Sequence, residues 1–184
     1  MLKNDALSLP ESQPICGAGA ASIPYVFVGD EAFPLRHNLM RPYPGRNLNL
    51  DKRIYNYRLS RARRTVENAF GIMASRFRLF HCPLMVHPKN VTLVTKGALV
   101  LHNFLRNEVG VQYVDESTAD YEDATGTLRP GDWRKVSTNQ LHSMRPAGVR
   151  GSNDATRIRD QFKNYFSSEI GSVSWQNAKV TATH

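Results

Sequence analysis

The chain has 184 residues, of which 41% are hydrophobic and 22% charged, with a formal net charge of +8, so a packed core is expected and wholesale disorder is excluded. It contains neither the roughly 20 consecutive apolar residues of a membrane span nor a signal-peptide core at its start. Two cysteines are too few for a disulfide framework and fit a reducing compartment, the cytosol or the nucleus.

The positive charge is concentrated in one stretch of the chain. Residues 36–89 contain twelve Lys or Arg and two acids, a net charge of +10, so the remaining residues sum to −2. Residues 108–123 hold six acids and no Lys or Arg. An uneven basic block is typical of a phosphate-binding surface, although a solvated helix face has the same composition.

The first quarter of the sequence predicts a loop followed by short strands. Residues 1–22 are rich in Ser, Pro, Gly and Ala and are expected to form a loop or a frayed end. Residues 23–28 are β-branched, aromatic and stopped by Gly29, which predicts a strand buried on both faces. Three prolines within residues 34–50 exclude a long helix there and leave a short edge strand at 38–41.

Two long helices are predicted next. Residues 51–77 contain no proline and repeat apolar side chains every three or four positions, with Asp51 as the N-cap and Gly71 as a weak or kinked point. Residues 88–108 begin with a proline suited to a first helical turn and are apolar on most of their circumference, which predicts a buried helix. His102 on this helix is interpreted as a hydrogen-bonded core or groove residue rather than a ligand.

The last part of the sequence predicts a linker and one more helix. Residues 108–152 are acidic and then punctuated by Gly and Pro, as in a long loop. Helical spacing returns at 153–171, with Asn153 or Asp154 as the cap, and residues 171–180 are predicted to be extended.

Asp30 and Glu67 are the candidate functional acids. Asp30 follows the predicted strand, and Glu67 lies one position off the apolar stripe of the first helix. One interpretation gives both acids a purely structural role. Asp30 would then be a turn residue, and Glu67 would form an ion pair with Arg63 or Arg64 that stabilises the helix by about 0.2–0.5 kcal/mol. Alternatively, the two carboxylates share Mg²⁺, which takes oxygen ligands, in metal-assisted phosphodiester cleavage.

Several separate motifs follow one another along the chain, namely "YVFVGDEAFPL", "NLMRPYPG", "RIYNYRLSRARRTVENAFGIMASRFRLF", "KNVTLVTKGALVLHNFLR" and "RIRDQFKNYFSSEIGSVSWQ". In this order they resemble the C-terminal half of PIF/Harbinger-type transposase-derived nucleases. These are DDE superfamily endonucleases, and they include plant proteins similar to the antagonist of Polycomb. The resemblance covers about residues 23–107 and, more loosely, residues 153–178.

This resemblance implies an α/β fold, specifically an incomplete RNase H-like fold that lacks its N-terminal strands and is mostly helical in what remains. It implies an Asp-Asp-Glu triad that binds a divalent metal cation, Mg or Mn, with Asp30 as the second Asp and Glu67 as the Glu. It also implies a nuclear protein that acts on DNA beside a Myb-like DNA-binding protein, without membrane contact. The corresponding divisions of the chain are a loop at 1–22, the C-terminal half of the nuclease domain at 23–107, a linker at 108–152, and a C-terminal helix and tail at 153–184.

The first Asp of the triad has no counterpart in this sequence, since Asp5 does not lie in a β-prone run. We therefore expect an N-terminally truncated family member. Its metal affinity should be poor, because Arg63 and Arg64 repel a cation that only two acids attract. Its apolar strand should have open edges through which copies of the chain self-associate.

Three functions remain open from the sequence. The first is a metal-dependent endonuclease or transposase-derived domain that is inactive as this isolated chain. The second is a non-catalytic DNA-binding or protein-interaction module, and the third is a chain without a function of its own. In the second, the basic helix would contact phosphates through Lys52, Arg53, Arg58, Arg61, Arg63 and Arg64. Alternatively, most of these arginines are solvated or pair with the acids of residues 108–123.

Overall fold

The computed structural model describes residues 9–15, 22–136 and 151–182, so the loop predicted at 1–22 and the linker predicted at 108–152 lie partly outside the described residues. The chain divides into two compact units, Met1–Arg63 with Met144–His184, and Arg64–Ser143. Helices and short strands are mixed, as expected for the α/β class. Among the described residues, no helix is long and apolar enough to cross a membrane.

The strands and helices are short apart from two long helices. The strands are β1 (Gln13–Pro14), β2 (Ser22–Ile23), β3 (Phe27–Val28), β4 (Leu39–Met40), β5 (Tyr121–Glu122) and β6 (Leu128–Arg129). The helices are α1 (Leu50–Arg76), α2 (Pro88–Val109), α3 (Asn153–Ser167) and α4 (Gln176–Thr181). Short 3-10 turns lie at Arg78–Phe80, Gly110–Gln112 and Asp132–Lys135.

Helix α1 confirms the predicted long helix, with differences at its cap and centre. The cap is Asn49, whose side-chain oxygen accepts the N–H of Lys52 at 3.2 Å, whereas the predicted cap Asp51 lies in the first turn. An acid there still interacts favourably with the positive end of the helix. The helix is continuous through Gly71, and a Cβ at this position would come within 2.4 Å of the Trp133 ring. Gly71 therefore makes room for an indole.

The first unit is built on a parallel strand pair and one apolar cluster. Strand β3 pairs with β4 in parallel, and β1 pairs with β2 in antiparallel fashion. Side chains of β2, β4, α1, α3 and the loops on either side of β4 form the cluster, in which Met40, Tyr55 and Ile158 are fully buried. The ring of Tyr43 meets Tyr55 edge-on at a centroid distance of 5.1 Å. Such aromatic pairs add about 0.5–1.5 kcal/mol beyond the area they bury.

The prediction of a strand at 23–28 buried on both faces is wrong. Two separate two-residue strands, β2 and β3, stand on either side of Pro24–Val26. Tyr25 and Phe27 are exposed while Val26 and Val28 are half-buried, so alternate side chains point to solvent. Val26 and Val28 pack against the apolar cluster while Tyr25 and Phe27 face solvent, which explains the difference. The short strand predicted at 38–41 is confirmed as β4.

The C-terminal part of the first unit differs from the prediction in two places. The cap of α3 is Ser152, whose hydroxyl accepts the N–H of Ala155 at 3.2 Å, not Asn153 or Asp154. The end predicted to be extended contains helix α4. A six-residue helix is too short to be stable alone. It is held by tertiary contacts, because Arg53 donates to the carbonyl of Val180 in its last turn.

The second unit is organised around the buried carboxylate of Asp120. Its Oδ1 accepts the N–H of Gly131 at 2.7 Å, and both oxygens accept Nε of Arg134 at 2.9 and 3.0 Å. The side chain of Asn68 on α1 binds both the backbone N–H and the carbonyl of Asp120, at 2.9 and 2.8 Å. The indole of Trp133 donates to the same Asn68 oxygen at 3.0 Å. The described part of the predicted linker thus holds a hairpin, β5–β6, tied to α1.

Helix α2 is exposed, which contradicts the predicted buried helix. Of its side chains only Ala98 and His102 are buried, because a small unit covers one side of the helix. The interpretation of His102 is confirmed, since its Nδ1 forms a 2.9 Å hydrogen bond with the hydroxyl of Tyr113. Burial and, to a smaller extent, the charge of Arg106 lower the pKa of His102 below its ordinary value. Pro88 occupies the first turn of α2 as predicted.

Replacing Asp120 by Asn should destabilise the second unit in a pH-dependent way. The hydrogen bond from Arg134 holds the pKa of Asp120 below its usual value, although burial opposes the shift. Stability from a depressed pKa is complete above the unfolded value of about 3.9 and is lost as pH falls through the folded value. We expect Asp120→Asn to reduce the free energy of unfolding by about 2 kcal/mol at pH 7, with a shrinking difference below pH 4.

Urea denaturation at pH 7 and pH 3 measures this difference. The exposed acid Glu116 supplies the control, since Glu116→Gln should leave stability unchanged at both pH values. An Asp120→Asn effect of the same size at both pH values would contradict the assigned role of the carboxylate.

Replacing Tyr43 by Phe should destabilise the first unit. The Tyr43 hydroxyl donates to Oδ1 of Asp160. Burial raises the pKa of Asp160, but this hydrogen bond and the charges of Lys163 and Arg159 together bring it below its ordinary value. The substitution keeps the ring packing and removes only the hydrogen bond, so we expect a loss of about 1.5 kcal/mol. Thermal denaturation with Tyr121→Phe as the control measures this loss, because Tyr121 is exposed. Equal effects of the two variants would refute it.

Candidate functional site

Asp30 lies directly after β3, where the parallel strand pair ends. The N–H of Gly29 still donates to the carbonyl of Met40 at 2.8 Å, and Asp30 then begins a turn. Its Oδ1 accepts the N–H of Ala32 at 2.9 Å, and its carbonyl accepts the N–H of Phe33 at 3.3 Å. Asp is favoured at this first turn position because its side chain bonds the backbone two residues on. The half-buried carboxylate is thus oriented through Oδ1.

The second oxygen of Asp30 is in a different situation. Among the described residues, none donates a hydrogen bond to Oδ2 of Asp30. One oxygen is therefore fixed by the backbone, and within the described part of the chain the other is not held by a hydrogen bond. The neighbouring Glu31 is exposed, which makes it a suitable comparison for any role of Asp30.

Glu67 lies on α1 within the second unit and is half-buried. Its charge helps to raise the pKa of the Arg134 guanidinium, after the larger effect of the hydrogen bond from Arg134 to Asp120. One turn earlier on the helix, Arg64 forms an ion pair with Glu122, with 3.7 Å between Nη1 and Oε2. Glu67 therefore lies in a network of alternating charges on this unit.

Asp30 belongs to the first unit and Glu67 to the second, so the surroundings of each acid are described within its own unit. Carboxylate oxygens have the hardness that Mg²⁺ and Mn²⁺ prefer. Over residues 9–15, 22–136 and 151–182, however, no group of three or more His, Cys, Asp or Glu could hold a metal ion. Carboxylate oxygens are thus the right kind of ligand for a hard cation, but the described residues do not bring enough of them together to complete a metal site.

All six basic residues predicted to contact phosphates lie on α1, and all are half-buried. Arg58 is the most engaged, since it donates to the carbonyl of Gly171 at 2.8 Å and to Oε1 of Gln176 at 3.1 Å. Its guanidinium also lies 4.6 Å from the ring centroid of Phe166. These contacts give Arg58 a structural role in joining α1 to the end of the chain, and its contact with DNA stays a prediction.

Two further members of this basic set lie over aromatic rings of the first unit. The Lys52 ammonium is 5.4 Å from the Tyr43 centroid, and the Arg61 guanidinium is 5.3 Å from the Trp175 centroid. Cation–π contacts of this kind contribute about 0.5–1 kcal/mol at exposed sites. Part of the positive charge on α1 is therefore engaged by aromatic rings of the first unit.

The alternative that arginines of α1 pair with the acidic segment has one clear instance, the Arg64–Glu122 pair. Two other acids of that segment are matched by arginines that follow them in the chain. Asp123 pairs with Arg129 at 3.3 Å, and Asp120 is bound by Arg134. Two of the six acids in the segment are therefore neutralised by arginines that follow them in the chain.

Sequence reasoning missed Asn68, which connects α1 to the hairpin. The sequence signal for this role was weak. Asparagine is disfavoured inside a helix because its side chain competes for backbone hydrogen bonds, so its presence next to Glu67 suggests another role. Gly71, one turn later, was a second signal, because it accommodates Trp133. Together, a polar residue and a glycine on neighbouring turns indicated that another segment crosses α1 here.

Comparison with known proteins identifies the family of this arrangement. Residues 8–103, just over half of the chain, match the family model described as DDE superfamily endonuclease, which begins upstream of the predicted boundary at residue 23. The matched range includes both Asp30 and Glu67. No curated protein and no solved structure matches the chain. The chain therefore belongs to the DDE superfamily endonucleases, a family of transposase-derived nucleases.

Proposed function

We propose that the chain is part of a divalent-metal-dependent endonuclease of the PIF/Harbinger transposase-derived type that acts on DNA phosphodiesters. The family match over residues 8–103 carries this proposal, because DDE superfamily nucleases generally use divalent metals. Asp30 and Glu67 are proposed as two of the three acids. An RNase H-like fold, a nuclear location and a Myb-like partner are further parts of the proposal.

The position of Asp30 supports its proposed role as a ligand. A carboxylate at the end of a parallel strand, with Oδ1 held by the N–H of Ala32, presents Oδ2 in a fixed direction. Pre-oriented oxygens of this kind lose little conformational freedom when a cation binds. A bound divalent ion in such enzymes stabilises the oxygens of the phosphodiester.

The metal assignment can be tested with Mn²⁺, whose unpaired electrons broaden the NMR signals of nearby amides. We expect weak binding that broadens the amides around Asp30 and those around Glu67. Asp30→Asn and Glu67→Gln should each reduce the broadening as a whole, because the Asn and Gln side chains keep the shape of the acid but lack the negative charge that holds the ion. Glu31→Gln, at an exposed acid next to Asp30, should leave the broadening unchanged.

Two outcomes of this titration would contradict the assignment. The first is broadening that persists at both places in Asp30→Asn and Glu67→Gln, since other groups would then bind the ion. The second is a wild-type chain without broadening at either place. A circular dichroism melt of each variant ensures that the comparison is made between folded proteins.

Cleavage of supercoiled DNA tests the activity itself. Only two acids of this sequence match the triad, so we expect little or no nicking by the 184-residue chain in Mg²⁺ or Mn²⁺. Any nicking that does occur should be lost in Asp30→Asn and in Glu67→Gln and retained in Glu31→Gln. Metal-dependent nicking that survives both substitutions would refute the proposed acids.

A non-catalytic DNA-binding role is the second candidate, favoured by the net charge of +10 in residues 36–89. Each phosphate contact contributes a slope of about −0.9 to the dependence of log affinity on log salt. We expect Lys52→Gln to reduce the steepness of this slope by about 0.9, with a stability loss no larger than the roughly 0.5–1 kcal/mol of its cation–π contact with Tyr43. Arg58→Gln should instead lower the melting temperature, because it breaks the bonds to Gly171 and Gln176.

Fluorescence anisotropy with duplex DNA at several salt concentrations, combined with thermal melts, separates these effects. Lys96→Gln is a suitable control and should leave the slope unchanged, since Lys96 is exposed and lies outside the basic stretch of residues 36–89. An affinity independent of salt would exclude phosphate binding as the basis of the interaction.

A further inference from the structure

Helix α2 has an apolar surface on the side opposite its buried residues. The buried side holds Ala98 and His102. The opposite side holds Leu93, Gly97, Val100 and Phe104, at spacings of four, three and four, and we call these residues the outer stripe. Their side chains are largely in solvent, with exposures of 67% for Leu93, 69% for Val100 and 57% for Phe104.

The outer stripe has the pattern of a helix–helix contact. Alternating spacings of three and four keep residues on one seam, as in coiled coils. A contiguous exposed apolar patch on a folded chain commonly marks an interaction surface. At the centre of the stripe, a Cβ added to Gly97 would meet no described atom within 4 Å. Glycine costs about 1 kcal/mol in a helix, and here it leaves a notch in which another side chain fits.

The charged residues at the ends of the stripe restrict the choice of partner. Lys89 and Glu108 are both exposed. Lys89 lies four residues before Leu93 and Glu108 four residues after Phe104, which places both on the side of the helix that carries the stripe at 3.6 residues per turn. One end of the outer stripe is therefore positive and the other negative. A surface with this arrangement is complementary to its own reversed copy.

We propose that α2 is a dimer interface, on which a second copy of this chain packs its own α2 in antiparallel orientation. A two-fold axis midway between positions 98 and 99 places Leu93 opposite the second copy's Phe104, and Gly97 opposite its Val100. The same axis places Lys89 opposite the second copy's Glu108. The apolar pairs, the notch and the charges are thus satisfied by a single register.

A parallel arrangement of the same helices does not have this property. It would place Lys89 against the second copy's Lys89 and Glu108 against its Glu108, and juxtaposed like charges disfavour association. An isologous two-fold contact also closes on itself and does not generate fibres. One helix pair is at the small end of specific interfaces, so we expect a dissociation constant of roughly micromolar size.

Charge reversal tests the orientation and the register. Lys89→Glu and Glu108→Lys should each weaken the dimer by about tenfold, because each creates two like-charge pairs across the two-fold axis. The double variant Lys89→Glu/Glu108→Lys should restore the wild-type dissociation constant. Both substitutions favour the helix dipole, so the fold of α2 is preserved in all three variants.

Substitutions inside the stripe test the close approach of the helices. Gly97→Ala should raise the melting temperature of the monomer through better helix propensity while it weakens the dimer by about tenfold. Val100→Asp should leave only monomer at concentrations where the wild type is dimeric. Met85→Gln is the matched control, since Met85 is 95% exposed but lies outside α2.

Sedimentation equilibrium of the full chain across a hundredfold concentration range, on the order of one to 100 µM, gives the dissociation constants near the expected micromolar value. The expected result is a monomer–dimer equilibrium with rescue in the double charge variant. A chain that is monomeric throughout, a dimer unaffected by Val100→Asp, or charge variants without rescue would overturn the proposal. Dimers lost through substitution of Phe27 and not of Val100 would indicate association through strand edges, and would also overturn it.

Discussion

The unbroken helix α1 is the constraint on which the rest of the structure depends. Its first half supplies Tyr55 to the apolar cluster and Arg58 to the carbonyl of Gly171. Its second half supplies Asn68 to both backbone groups of Asp120. Each unit is therefore assembled on side chains of the same 27-residue helix, and a break in it would remove an anchor from both units.

Polar side chains, more than apolar burial, fix the segments that have weak structural preferences of their own. The six-residue helix α4 is held by Arg53 and Arg58, and the hairpin β5–β6 is held by Asn68 and Arg134. Charged and amide groups make strong hydrogen bonds only in a defined geometry. Such hydrogen bonds hold a short, irregular segment in one position, whereas a small apolar contact would allow several positions.

The long helices could be predicted because their signal is local. Apolar periodicity, an absence of proline in α1 and Pro88 at the start of α2 all act within a few residues. The burial of β3 and α2 could not, since it depends on what packs against them, and apolar composition alone was misleading in both cases. The cap positions were missed by one or two residues because Asn49, Asp51, Ser152 and Asn153 are all good capping residues.

The candidate acids show the same division between local and non-local information. Motif similarity identified Asp30 and Glu67, and the match to the endonuclease family confirmed the family to which they belong. The turn that orients Asp30 was predictable, because Asp after a strand favours it. The role of Arg134 near Glu67 was not, since it depends on a hairpin that brings residue 134 back to α1. The surroundings of Glu67 therefore depend on tertiary contacts that a local sequence pattern does not reveal.

Trp133, which packs on Gly71, is one of two tryptophans whose positions have a practical consequence for spectroscopy. The chain contains two tryptophans, and the structure places Trp133 in the second unit and Trp175 in the first. Each indole is hydrogen-bonded, Trp133 to Asn68 and Trp175 to the Tyr57 hydroxyl. Their emission therefore responds to the opening of different parts of the protein. Replacing one tryptophan at a time gives an intrinsic reporter for each unit, and the cooperativity of their unfolding becomes directly measurable.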